Sequence, residues 1–218
     1  MPVADDIVHD VAIVPSDPDY IVAAGGCSGV IVVDAANSSN MKVATTYDLD
    51  GCVLDVEIGH GVAYTAMEGA GVDIWKFNID EQPVLLAHLS EVDPLRIKLM
   101  DDNTLYIYGT IEGPDQDSVG GVVVDTQDPV HPRIVGRLVG LQSSPVSNEG
   151  ALAGFGLDAV ITNGRRGLFY MRVPPPSAST VEPLPSPHVT PVATGDGNGA
   201  DRSRVYLPFL PLSSRRSE

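Results

Sequence analysis

The sequence is short of several things, and each shortage excludes something. Only two of 218 residues are cysteine, Cys27 and Cys52. Two thiolates cannot make a four-thiolate zinc site, and no CxxC or HxxxH pattern accompanies them. They form one disulfide in an oxidising compartment or remain two buried thiols; the sequence leaves both open. No run of about 18 uncharged apolar residues occurs, which excludes a helical membrane span. The start, "MPVADDIVHD", lacks the basic-then-apolar order of a secretory signal, so the protein stays inside or this chain begins downstream of a leader. Basic residues are scarce too, at 13 against 29 acidic, a net charge of −16. The acid is concentrated: residues 1–150 hold 24 acidic and 6 basic side chains, residues 151–218 hold 5 and 7. Such a body repels phosphate backbones, so no nucleic-acid partner is expected. No amphipathic helical period stands out; apolar residues alternate with a period near 2 and turn residues arrive every 8–12 positions.

What is present is a repeat. Four segments share a glycine followed by alternating β-branched or aromatic residues: "GVIVVD" from Gly29, "GVDIWKF" from Gly71, "GVVVDT" from Gly121 and "GLFYMRV" from Gly167. A short strand precedes each: "YIVAAGG" from Tyr20, "VAYTAMEG" from Val62, "LYIYGT" from Leu105 and "AVITNGRRG" from Ala159. Ahead of those lie "VHDVAI" from Val8, "VLDVEI" from Val53 and "LRIKLM" from Leu95, with "EGALAGF" from Glu149 a poorer fit. Three units close with a further run, "MKVATTYDL" from Met41, "PVLLAHL" from Pro83 and "PRIVGRL" from Pro132. Four strands in about 40–50 residues is the period of one propeller blade. Between "GVDIWKF" and "PVLLAHL" the Asn78 and Asp80 side chains favour a turn, and Pro83, without an N–H, suits the first position of an edge strand. The predicted class is all-β, a β-propeller or partial propeller of about four four-stranded antiparallel blades.

These units resemble the LVIVD repeat family, through "VAYTAMEGAGVDIW" from Val62, "GVIVVD" from Gly29 and "GVVVDTQDPVHPRIVG" from Gly121. The resemblance covers about residues 7–173. It implies a toroid of sheets, often exported or surface-displayed, without common catalytic chemistry. The fourth unit ends at "YMRV" with no outer strand, and little chain precedes the first. A partial propeller, half of a dimeric ring and a small ring with irregular closure all fit; an open sheet edge invites pairing with another chain.

Nine of the 18 prolines lie in residues 174–218. Residues 174–203 read as a Pro/Ser/Gly-rich linker and 204–218, which begin "RVYLPFLPL", as a short apolar segment with a basic end. That order resembles the terminal tail of exported proteins of Chloroflexi-type bacteria and implies sorting or surface attachment. The alternative is a terminal strand docked on the propeller.

Candidates for chemistry are few. Aligned units place Asp10, Asp55, Arg96 and Glu149 in one inner-strand slot facing a central channel. They either bind a cation or polar ligand at the channel mouth or cap backbone groups of a neighbouring blade; the second reading is preferred. "GDGNGAD" spaces Asp196, Asn198 and Asp201 somewhat like a calcium loop but lacks the later bidentate Glu, so a plain turn is favoured and no cofactor is expected. "EGPDQD" from Glu112 reads first as a longer loop. Trp75 and Phe77 share a strand face and are expected to pack between sheets. The five histidines are scattered, and there is no GxSxG and no phosphate-cradling glycine loop. The expected function is a non-catalytic, exported or surface-associated scaffold for protein or ligand contacts. The alternatives are a carbohydrate- or cation-binding module at the channel mouth, or a fragment of a larger propeller enzyme.

Overall fold

A computed structural model describes residues 7–100, 103–111, 118–138, 150–155, 158–163 and 168–172. Every regular element in them is a strand. The first sheet runs β1 (Asp10–Ile13), β2 (Tyr20–Ala24), β3 (Val30–Asp34), β4 (Lys42–Tyr47). The second is β5 (Val53–Gly59), β6 (Val62–Met67), β7 (Gly71–Lys76), β8 (Val84–Leu89). The third is β9 (Val92–Leu99), β10 (Thr104–Ile111), β11 (Ser118–Asp125), β12 (Arg133–Leu138), and the fourth is β13 (Gly150–Phe155), β14 (Asp158–Asn163), β15 (Leu168–Arg172). Each is an antiparallel meander in chain order. The strands β1, β5, β9 and β13 are neighbours in succession, so the sheets stack side by side through their innermost strands. This is the blade arrangement the repeat implies. "EGALAGF", the poorest match to the pattern, does supply β13.

The repeat survives in fine detail. Each third-to-fourth strand pairing carries a bulge at one equivalent place: between Val32 and Val33, Ile74 and Trp75, and Val123 and Val124. One extra outer-strand residue there twists the blade's edge. Counted from these bulges, Val30, Val72 and Gly121 are equivalent, so Gly120, not Gly121, stands where Gly29 and Gly71 stand. Gly29 and Gly71 open their strands with φ of 78° and 102°. A Cβ at either would strike the carbonyl oxygen that ends the outer strand, on Tyr47 or Leu89. The glycine therefore lets the third and fourth strands meet. At the far end of the third strand, Asp34 and Asp125 accept hydrogen bonds from the amides of Ala36 and Gln127 at 3.1 and 3.0 Å. Asn78 does the same for Asp80 at 3.2 Å, forming Asx turns that reverse the chain.

The apolar core lies between blades. The first joint buries Val22, Ala24, Val30 and Val32 against Val53, Val56, Ile58 and Met67, with Phe77 buried and Trp75 packed alongside. The second sets Tyr64, Ala66, Val72 and Ile74 against Ile97, Leu105, Ile107 and Val122. The third sets Tyr106, Tyr108 and Val123 against Ala159, Ile161 and Leu152. Pro94 lies inside β9, one residue ahead of the run the pattern marks. A bulge opposite Tyr108 and Gly109 accommodates it, and a Cβ at Gly109 would strike the Asp93 carbonyl oxygen.

Gly69 offers a control for Gly71, since its φ is 66° but nothing lies within 4 Å of its Cβ position. Gly69→Ala is expected to cost about 1 kcal/mol from the left-handed backbone alone, and Gly71→Ala clearly more, because the clash adds to it. Urea unfolding of the two variants measures the difference.

Candidate functional site

The inner-strand slot exists. By register, Asp10 pairs across β2 with Ala24, Asp55 across β6 with Ala66, and Arg96 across β10 with Tyr108. All three therefore face the following blade at one level around the stack. In β5 and β9 a bulged leucine, Leu54 or Leu95, immediately precedes the slot residue and re-aims it. Glu149 lies outside the described residues, as do Asp196, Asn198 and Asp201 and the whole of 173–218.

The structure brings Asp10 and Asp55 together and gives each polar group a partner. Asp55 is 4% exposed, and its Oδ2 accepts a hydrogen bond from the backbone N–H of Ile97 in the next blade at 3.1 Å. Its carboxyl also hydrogen-bonds that of Asp10. Two carboxyl oxygens in hydrogen-bond contact need a proton between them. Burial above all, then the Asp10 carboxyl, pushes Asp55 up to about 8, against the pull of the Ile97 amide. At neutral pH Asp55 is therefore held mostly in its protonated form. Arg96 is half-buried and donates from Nη1 to the carbonyl of Leu95 at 2.6 Å.

One turn of the strand alternation further on are two residues that the sequence reading passed over. Glu57 and Lys98 stand two positions after Asp55 and Arg96, and they meet at 2.5 Å across the second joint. Burial raises the Glu57 carboxyl while Lys98 opposes it. The signal was available in "DVE" and "RIK", because residues i and i+2 share a face.

Other polar clasps cross the joints farther out. Tyr64 donates to Thr126 Oγ1 at 3.2 Å, and Thr126 donates to the Asn103 carbonyl at 2.6 Å. The Tyr47 hydroxyl reaches the carbonyls of Ile79 and Glu81 in the second blade. On one rim, Asp93 Oδ1 accepts from the Gly69 amide at 2.8 Å, tying the β6–β7 turn to β9. The equivalent turn of the first blade is tied covalently: Cys27 and Cys52 form a disulfide beside a Gly26–Val53 β-bridge. Of the two sequence alternatives, the bridge is the one realised. Trp75 donates to Thr65 Oγ1 at 3.0 Å, which agrees with packing. His88 and His131 lie on exposed outer positions, and a carboxylate faces each: Asp73 at 2.6 Å and Asp128 at 3.0 Å. Among the described residues, no group of three or more His, Cys, Asp or Glu is placed to hold a metal ion. No helix there is long and apolar enough to cross a membrane.

With blades, joints and slot in view, the fold is that of a β-propeller. Solved structures agree. The chain superposes on Saccharomyces cerevisiae Sqt1 with a TM-score of 0.55 at 15% identity, over 77% of this chain and 45% of that one. It superposes on the Nup133 β-propeller domain of Vanderwaltozyma polyspora with a TM-score of 0.57 at 8% identity, over 87% of this chain and 64% of that one. At such identities the likeness is one of fold, and the chain spans less than two thirds of the length of either. No protein-family model matches the chain, and no curated protein does.

Two measurements check the joints. Because the folded pKa of Asp55, about 8, lies above its unfolded value near 3.8, its stabilising contribution is whole below about pH 4 and lost as pH rises towards 8. The loss is at most about 1.4 kcal/mol per pH unit. Asp55→Asn keeps an acceptor for Ile97 and a donor for Asp10, so relative to the native chain it should gain stability steadily from pH 4 to 8. Equal pH profiles of unfolding free energy would show that Asp55 ionises freely. The second measurement is of the bridge, which closes a 25-residue separation. Cys27→Ser with Cys52→Ser is expected to lose about 3.5 kcal/mol on the chain-entropy account, read from denaturant midpoints in non-reducing buffer.

Proposed function

We propose that the chain is a non-catalytic β-propeller scaffold of the LVIVD repeat type, exported or surface-associated, that makes protein contacts through its outer strands. The observation that carries the reading is where polar and apolar groups are used. The inner-strand groups that a ligand site would present, Asp55 above all, are engaged in joints between blades. A neutral Asp55 also offers no charge to a cation. Exposed large apolar side chains stand instead where the fourth strands of the first two blades begin, Met41 and Val43 in the first and Val84 and Leu85 in the second, and Val130 is exposed in the turn ahead of β12. Repeated apolar positions on one rim suit a protein partner. The Cys27–Cys52 bridge supports an oxidising compartment, since cytosolic thiols are kept reduced. A Chloroflexi-type sorting role for residues 204–218 belongs to the same reading.

The test is to compare photo-crosslinked partners of the native chain with those of Val84→Asp/Leu85→Asp in the producing cells, beside thermal shifts with calcium and a glycan panel. The expected result is protein adducts that the double substitution removes, with no ligand shift. A melting rise of several degrees with calcium or a glycan that Asp10→Asn abolishes and Val84→Asp does not would overturn the reading in favour of a channel-mouth binding module.

A further inference from the structure

The rim of the first joint carries a covalent bond that the second joint closes without. Cys27 stands two positions before the strand-opening Gly29, as Gly69 stands two before Gly71. Cys52 lies three positions before the slot residue Asp55, as Asp93 lies three before Arg96. The Cys27–Cys52 disulfide therefore occupies the place of the 2.8 Å hydrogen bond from the Gly69 amide to Asp93 Oδ1. The backbone beside the disulfide is also well bonded. The amides of Gly26 and Val53 each donate to the other's carbonyl, at 3.2 and 2.9 Å. In β9 the residue equivalent to Val53 is Pro94, which has no N–H to give. The β2–β3 turn holds its own shape, with the Gly25 amide donating to the Gly29 carbonyl at 2.8 Å. Closing the first joint thus requires no sulfur.

Position and connectivity give the bridge a different use. Cys27 is exposed and Cys52 half-buried, so the bridge lies at the rim and outside the apolar seam. The loop it closes holds β3, β4 and the connection that ends where β5 begins. While the bond stands, the first blade stays tethered to the second. Cutting it frees the first blade alone, because the sheets of the second, third and fourth blades contain no part of that loop.

We propose that Cys27–Cys52 is a redox-operated latch on the first joint: a dithiol reductant cuts it in the folded chain and lets the first blade part from the second, while the second and third joints stay closed. A donor thiolate attacks Sγ of the exposed Cys27, forming a mixed disulfide and expelling the Cys52 thiolate. The donor's second thiol then attacks the donor sulfur of that mixed disulfide and expels the Cys27 thiolate. Two electrons pass to the cysteine pair, the donor leaves as a disulfide, and its two protons end on Cys27 and Cys52. With the loop no longer closed, the open form of the first joint becomes about 300-fold more populated. Opening uncovers Val22, Val32, Val53 and Val56. The latch rests on the bridge and the joints; neither export nor a protein partner enters it.

The experiment is urea unfolding of the full chain, oxidised and after dithiothreitol, followed by two probes. Trp75, the one tryptophan, packs at the first joint, and circular dichroism reports all the sheets. The oxidised chain should give coincident transitions. Dithiothreitol without urea should free two alkylatable thiols per chain. The Trp75 transition should then precede the dichroism transition, and reoxidation should merge the two again. A bridge that dithiothreitol cuts only in urea would overturn the proposal. So would coincident transitions in the reduced chain, or separate ones in the oxidised chain. Cys27→Gly/Cys52→Asp places the second joint's residues in the first. This variant should fold with the native dichroism and, like the reduced chain, lose the Trp75 signal first. Failure to fold would show that the joint needs the covalent bond, and a single transition that the bond is not what holds the blade; either result contradicts the latch.

Discussion

A four-stranded antiparallel sheet has two faces, and nothing within a single blade of this protein can cover either. The structure depends on the answer to that constraint, which is the joint between successive blades. Among the described residues every core cluster spans two sheets, and none lies within one. Burying the apolar side chains of each blade against those of the next stabilises the stack by roughly 25 cal/mol for each Å² removed from water. Stability is then a property of neighbours, as in other repeat proteins, and each blade holds because the next one does.

Polar chemistry is subordinate to those joints. Asp55 shows it most clearly, as a carboxyl in an apolar seam with one oxygen on a neighbouring backbone amide and a shared proton towards Asp10. Left without Ile97 N–H and Asp10, it would destabilise the seam; with them, it fixes the register of β9 against β5. Lys98 with Glu57, Thr126 with Tyr64 and Asp93 with the Gly69 amide repeat the arrangement at successive radii. The first joint adds a disulfide where the second uses Asp93. The equivalence of these two rim contacts suggests one structural need met by two chemistries.

Much of the architecture could be read from the sequence because the blade repeats its own punctuation. Gly29 and Gly71 are required by a positive φ and a carbonyl at Cβ distance, and the acids Asp34 and Asp125 by Asx turns, so both recur and mark the strands. What escaped was set by contacts across joints, which have no local period. Pro94 concealed the start of β9 because its tolerance depends on Gly109 in another strand. Lys98 and Glu57 are 41 residues apart; "DVE" and "RIK" place each on the face of its slot residue, but which blade's side chain meets it is decided across the joint. The Cys27–Cys52 pairing required knowing that the β2–β3 turn abuts the start of β5. The slot itself was legible, and its use depended on the neighbouring blade.

The central claim is that protection and stability reside in the seams between blades. Native-state amide hydrogen exchange measures this most directly. The account expects the slowest exchange in β5, β6, β9 and β10, faster exchange in the outer strands β4, β8 and β12, and a selective acceleration of the Ile97 amide in Asp55→Ala. Uniform protection across inner and outer strands, with Ile97 unmoved by that substitution, would contradict it.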